Sequence, residues 1–174
     1  MTSASIRAAY RTWPRHQRRL VAGVARLTPE QLALPSPGGG WPLWATIGHL
    51  ACQRVFWLCD FAGEPGAATT RFTNAAYDCP GDDDLEHVLS PADLVDALES
   101  TFRIVERILD RWTFDELDEV LRRPEWDASW VHTRGEVVLR VYTHDVTHIA
   151  DVNAVLGAAG LDQIDLWSER DDDR

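Results

Sequence analysis

The chain contains no lysine; all 17 of its basic residues are arginine. That absence excludes a Schiff-base lysine and the phosphate-binding lysine of a P-loop. A codon bias toward G and C accounts for it, and no functional meaning follows. Positive charge is also scarce in sum. The 28 acids leave a net charge of −11, with a pI near 4.8. This balance argues against a nucleic-acid partner, which needs its phosphates neutralised, and against retention on anionic lipid by basic residues. No stretch reaches the roughly 18 apolar residues of a membrane span. The N-terminus carries Arg7 and Arg11 but no apolar run, so it does not read as a signal peptide. Cysteine is limited to Cys52, Cys59 and Cys79. An odd number without CxxC spacing fits a reducing compartment better than a disulfide framework. The expectation is a cytoplasmic protein.

What is present is ordinary for one globular domain, and residues 1–174 are read as one. There are 174 residues, 45% hydrophobic and 26% charged, enough to bury a core without staples. The charge is uneven. Residues 1–60 hold seven arginines against Glu30 and Asp60, a balance of +5, whereas residues 61–174 hold ten arginines against 26 acids, a balance of −16. The cluster Arg15, Arg18 and Arg19 reads as a solvated helix face, with contact to an anion as the alternative.

Helical periodicity dominates. Over 4–27, Ile6, Ala9, Tyr10, Trp13, Gln17, Leu20, Val24 and Leu27 recur every three or four positions, and Pro14 must kink that helix or start a new one. Thr28-Pro29-Glu30-Gln31 reads as a helix restart capped by Thr28. Residues 36–40 read as a loop. The helix expected over 42–62 is apolar almost all round and should be central. Residues 63–90, with Gly63, Pro65, Gly66, Pro80 and Gly81 among them and the run Asp82-Asp83-Asp84, form a long connection across one end of the molecule. Ser90-Pro91 opens a third helix with a stripe from Leu94 to Trp112. Phe114, Leu117 and Leu121 suggest a short helix over 114–122, residues 123–133 read as irregular, and no strand is expected. Thr133 with Glu136 forms a capping box for the last helix, which stops at Gly157 or Gly160. The acidic tail at 168–174 is expected to fray. Four long amphipathic helices favour an all-α four-helix bundle.

Six histidines are present, and two of them are spaced as ligands. His144 and His148 lie four apart on the last helix, about 6 Å apart at the backbone. Stepping from His144 by three or four reaches Val137, Val141, Val152 and Val155, so the pair lies on the inward stripe. His49 lies on a mostly apolar face of the central helix, with Thr46, Cys52, Gln53 and Phe56 as neighbours. Three imidazoles on inward faces form a set that binds a divalent transition metal and leaves positions open. A core histidine is more often a hydrogen-bonded packing residue. Burying three without partners is costly, however, and a shared metal supplies the partner. The string His144-Asp145-Val146-Thr147-His148 also resembles the zincin HExxH, in which the acid is the general base. Asp145 is a methylene shorter than that glutamate and no third ligand follows, which argues against a metalloprotease.

Taken together, these residues resemble the DinB/YfiT-like superfamily of metal-binding four-helix bundles. The matching pieces are Leu27-Thr28-Pro29-Glu30-Gln31-Leu32, Trp41 followed by Ile47-Gly48-His49-Leu50, Phe56-Trp57, and His144-xxx-His148-Ile149 followed by Leu156-Gly157 and Gly160-Leu161. The resemblance implies an up-down-down-up bundle with a long crossover, which the 63–90 connection fits. It carries a metal triad onto His49, His144 and His148, with zinc or nickel as the usual ion. Characterised relatives are mycothiol or bacillithiol S-transferases and a mycothiol-dependent maleylpyruvate isomerase. The partners implied are therefore a small-molecule thiol and an electrophile, in detoxification or stress response, and a homodimer is admitted. The sequence departs from the pattern at Pro14 and at 123–133, which holds Trp126, Trp130 and His132.

No residue is assigned a catalytic role outright; Gln53, Asp145 and Arg140 are the candidates. Gln53 lies one turn after His49, as a support for the site or as a plain core hydrogen bond. Asp145 is either exposed or orients a histidine. Arg140, one turn before His144, either grips a substrate carboxylate or pairs with Glu136. His132 is kept as a pocket residue, and Cys52 reads as a small core residue. Trp41, Trp44 and Trp57 are candidates to line an apolar pocket. Three functions are consistent with this set: a metal-dependent thiol S-transferase, a binding module whose metal is structural or absent, and a metal-dependent hydrolase.

Overall fold

A computed structural model describes residues 3–36, 38 and 40–168. Pro37 and Gly39 of the expected 36–40 loop, and residues 169–174 of the expected frayed tail, lie outside them. The protein is mostly helical. Residues Ile6–Ala8 form a single 3-10 turn, and α1 spans Trp13–Val24. Pro14 therefore starts a helix rather than kinking one, because it occupies the first turn, where its missing N–H costs nothing. A short α2, Pro29–Leu32, follows the reciprocal capping box of Thr28 and Gln31.

The central helix α3 runs over Leu43–Val55 and is buried along nearly its whole length. It packs against α4, Pro91–Arg111, and α5, Arg134–Ala158, while α1 packs against α4. The core is aliphatic and aromatic: Leu20 and Val24 of α1, Ile47 and Leu50 of α3, Leu98 and Val105 of α4, and Val141 and Val152 of α5. Ser90 with Asp93, and Thr133 with Glu136, cap α4 and α5 by reciprocal hydrogen bonds. Gly160, at φ +70°, ends α5 in the left-handed region, and Leu161 N–H donates back to the Leu156 carbonyl at 2.8 Å.

Two departures from the sequence reading matter for the site. First, α3 widens into a π-helical segment over Phe56–Phe61, a feature that apolar spacing does not announce. Second, the short helix expected over 114–122 is only a 3-10 turn, Phe114–Glu116. Beyond it, β1, Val120–Arg122, pairs antiparallel with β2, Val131–Thr133, with Leu121 opposite His132. The expectations of no strand and of an irregular 123–133 are therefore corrected. Strands of three residues are too short to carry an alternating pattern. Packing of the intervening Trp126 and Trp130 on Phe56 and Phe61 holds this hairpin in place.

Candidate metal centre

Helix α3 contributes His49, and α5 contributes His144 and His148 one turn apart. Their ring centroids lie 5.0 Å apart for His49 and His144, 5.1 Å for His49 and His148, and 4.3 Å for His144 and His148. Nε2 of His144 is 3.1 Å from Nε2 of His49 and 3.1 Å from Nε2 of His148. Among the described residues these three form a group able to offer ligand atoms to one ion.

The outer nitrogens explain why the inner ones are available. Nδ1 of His148 lies 3.0 Å from Oδ2 of Asp151, and a carboxylate only accepts, so the ring hydrogen sits on Nδ1. Nε2 then keeps its lone pair. Nδ1 of His49 faces Oδ2 of Asp82 at 3.4 Å and Sγ of Cys79 at 3.8 Å, which favours the same tautomer. Trp41 closes over His49, with ring centroids 4.8 Å apart. Burial, then the neighbouring His148 and His49 and the charges of Arg54 and Arg140, pushes His144 down to about 3. Burial also lowers His148. Both rings are neutral at pH 7, as ligands must be.

These nitrogens fit a metal. With metal–nitrogen bonds of about 2.0–2.1 Å, octahedral angles place adjacent ligand nitrogens roughly 2.8–3.0 Å apart and tetrahedral angles roughly 3.3–3.4 Å, and the two pairs made by His144 Nε2, each 3.1 Å, fall within that span. With their hydrogens at Nδ1, His148 and His49 turn the Nε2 lone pairs toward Nε2 of His144, and a cation placed among the three nitrogens would accept them.

The histidines adjoin a cavity of about 320 Å³ whose wall includes His144, Gln53, Trp57, Trp130, Cys79 and Arg140. A second depression, about 540 Å³ and more open, shares Arg140 and His144 and adds His132. Gln53 donates weakly to Cys79 Sγ at 3.7 Å. Arg140 lies over the Trp57 ring, 4.5 Å from its centroid. Asp145 is placed differently from either sequence expectation. It is 2% exposed, and its carboxylate accepts from Arg54 and from Trp13 Nε1. It is neither at the surface nor hydrogen-bonded to a histidine.

Cys52, Cys59 and Cys79 are all buried and free. A hydrogen bond from Cys52 lowers the Cys79 thiol, against the effect of its burial, while Cys52 itself is pushed up. Away from the centre, His16 packs on Tyr142, and His87 is exposed and held by Asp84. Sequence reasoning missed Asp151, Asp82 and Cys79. Asp151 was readable as the i+3 neighbour of His148. The other two arrive from the 63–90 connection, which offers no periodicity by which to align them.

A family profile for the DinB superfamily matches residues 12–152 of the chain. No curated protein sequence matches it significantly. A crystal structure of a DinB-like protein from Bacillus cereus ATCC 10987 is similar, with a TM-score of 0.68 at 15% identity over 95% of this chain and 100% of that one. At that identity the likeness concerns the fold. No helix among the described residues is long and apolar enough to cross a membrane.

Proposed function

The chain belongs to the DinB superfamily, and from that premise we propose that it is a divalent-metal-dependent enzyme that activates a low-molecular-weight thiol for transfer to an electrophile. The proposal includes an up-down-down-up order of the four long helices, with 63–90 as the crossover. It also includes zinc or nickel as the ion and a thiol of the mycothiol or bacillithiol kind. The observation that carries it is the convergence of three Nε2 atoms beside an open cavity.

His49, His144 and His148 would hold the ion through Nε2. Asp151 accepts the Nδ1 hydrogen of His148 and so fixes its ring orientation and ligand basicity, while Asp82 and Cys79 face Nδ1 of His49. Arg54 and Asp145 set the approach of α3 to α5. An ion bound by three neutral ligands keeps its full charge and thereby favours thiolate over thiol. Trp57 and Trp130 provide an apolar wall for the second substrate and exclude water from one side of the cavity.

The test is metal analysis of protein purified without a histidine tag, followed by thiol consumption with a generic electrophile. About one ion per chain and metal-dependent consumption are expected, with both lost in H49A, H144A and H148A. Unchanged metal content in all three variants would remove the basis of the proposal.

A further inference from the structure

We propose that the cavity beside the three histidines is a subsite for a carboxylate borne on a flat apolar body. Arg140 is the anchor for the carboxylate, and Trp57 and Trp130 are the surface for the body. The inference rests on the preceding reading in one respect: the ligand placed here is taken as the electrophilic substrate.

Arg140 has the properties of an anchor. It adjoins both depressions that reach His144. Its guanidinium lies over Trp57, with Cζ 4.5 Å from the ring centroid, and the planar N–H fork of an arginine matches a planar, bidentate acceptor. The nearby carboxylates are committed elsewhere. Oε2 of Glu136 accepts from Thr133 N–H at 2.7 Å, Oδ2 of Asp83 accepts from Cys79 N–H at 2.9 Å, and Asp82 faces His49. Among the described residues no acid forms an ion pair with Arg140. The expected alternative, pairing with Glu136, is not what the structure contains.

The rest of the cavity selects what the carboxylate is attached to. Trp57 and Trp130 lie 5.7 Å apart at 34°, with Phe56 against both. Both line the cavity together with Arg140, and Trp130 is the more exposed of the two. Asp82 and Asp83 also border the cavity and oppose a multiply charged anion such as a phosphate ester. One negative charge on a planar apolar group satisfies both ends. Arg140 and His144 are one helical turn apart, about 6 Å. A carboxylate held by Arg140 therefore brings the adjoining carbons beside the three histidine nitrogens.

The probe is 2-naphthoate, with 2-naphthamide as its uncharged counterpart. Both are titrated by calorimetry and ligand-observed NMR into zinc-loaded and zinc-stripped protein. Saturable naphthoate binding is expected in both forms, about tenfold or more tighter than naphthamide. Arg140→Gln should abolish that preference, whereas Trp130→Ala should weaken both. Equal binding of the two probes, no saturable binding, or an unaltered preference in Arg140→Gln overturns the proposal. Naphthoate binding that requires zinc and survives Arg140→Gln places the carboxylate at the histidines, and overturns it too. Failure of thiol consumption with the naphthoate preference intact removes only the transferase reading and leaves the subsite standing.

Discussion

Oδ2 of Asp145 accepts from Arg54 Nη2 at 2.7 Å, with both side chains at most 2% exposed. Arg54 also donates to Gln17 Oε1 at 2.8 Å and to the Leu98 carbonyl at 3.2 Å. One guanidinium on α3 therefore touches α1, α4 and α5. The pair lies five residues beyond His49 on one helix and one residue beyond His144 on the other, so the contact that joins the helices also spaces the ligands. An HxxxH pair with an acid inside it looks like a catalytic string, yet here the acid belongs to the interior scaffold.

Removing one member of this pair leaves a buried charge without its partner. Arg54→Met or Asp145→Asn is expected to destabilise the protein by about 3–5 kcal/mol, measured by urea denaturation. The double variant Arg54→Met/Asp145→Leu should recover much of that loss, because a well-packed apolar pair has no charge to desolvate. A double variant as unstable as the sum of the singles would show that the hydrogen bonds to Gln17 and Leu98, rather than the ion pair, carry the energy.

Asp151 makes a separable contribution. Its carboxylate is about half exposed and its contact is to Nδ1 of His148. Asp151→Ala should therefore leave global stability nearly unchanged while weakening metal affinity about 10- to 100-fold. Competition with a chromophoric chelator measures the affinity, and thermal melting of metal-free protein measures the stability. Loss of stability without loss of affinity would mean that the contact serves α5 and not the centre.

Much of this was legible in the residues because it is local. Thr28, Ser90 and Thr133 each begin a helix where a capping oxygen meets a residue three positions on, and the inward stripes of α3 and α5 place His49, His144 and His148 correctly on facing sides. What the residues did not disclose depends on distant partners. Asp145 had no visible mate because Arg54 is 91 positions away. The β1–β2 pairing and the π-helical segment depend on aromatic packing between Phe56–Phe61 and Trp126–Trp130. Asp82 reaches His49 only through the course of an irregular connection.

Gly81 tests that connection. Its φ of +87° is in the left-handed region, and a Cβ there would lie 2.8 Å from the Trp41 ring that covers His49. Gly81→Ala combines backbone strain with displacement of that ring, at about 1–3 kcal/mol. It should lower both the melting temperature and the metal affinity. Gly160→Ala is the control. Its φ is +70° with open space around the added atom, so it should cost only the backbone component and leave metal binding alone. Equal effects of the two variants on affinity would detach Trp41 from the centre.

His16 provides a pH dependence outside the metal centre. Burial first, then the charges of Arg15 and Arg19, holds its folded pKa below the ordinary 6.5, against smaller opposing effects of the Leu166 backbone and Asp145. Its Nδ1 is buried without a hydrogen-bond partner among the described residues. Below pH 6.5 the unfolded chain takes up a proton here that the folded chain resists. Stability should then fall as pH drops through 6.5, and the loss from this group should level off once pH passes below the folded value. His16→Phe keeps a ring against Tyr142 and removes the titration. In urea unfolding of metal-saturated protein between pH 7.5 and 5, the variant should lose less stability than the parent, since all other titrating groups are common to both. Parallel curves would mean that the folded protein admits the proton at His16 as readily as the unfolded chain does.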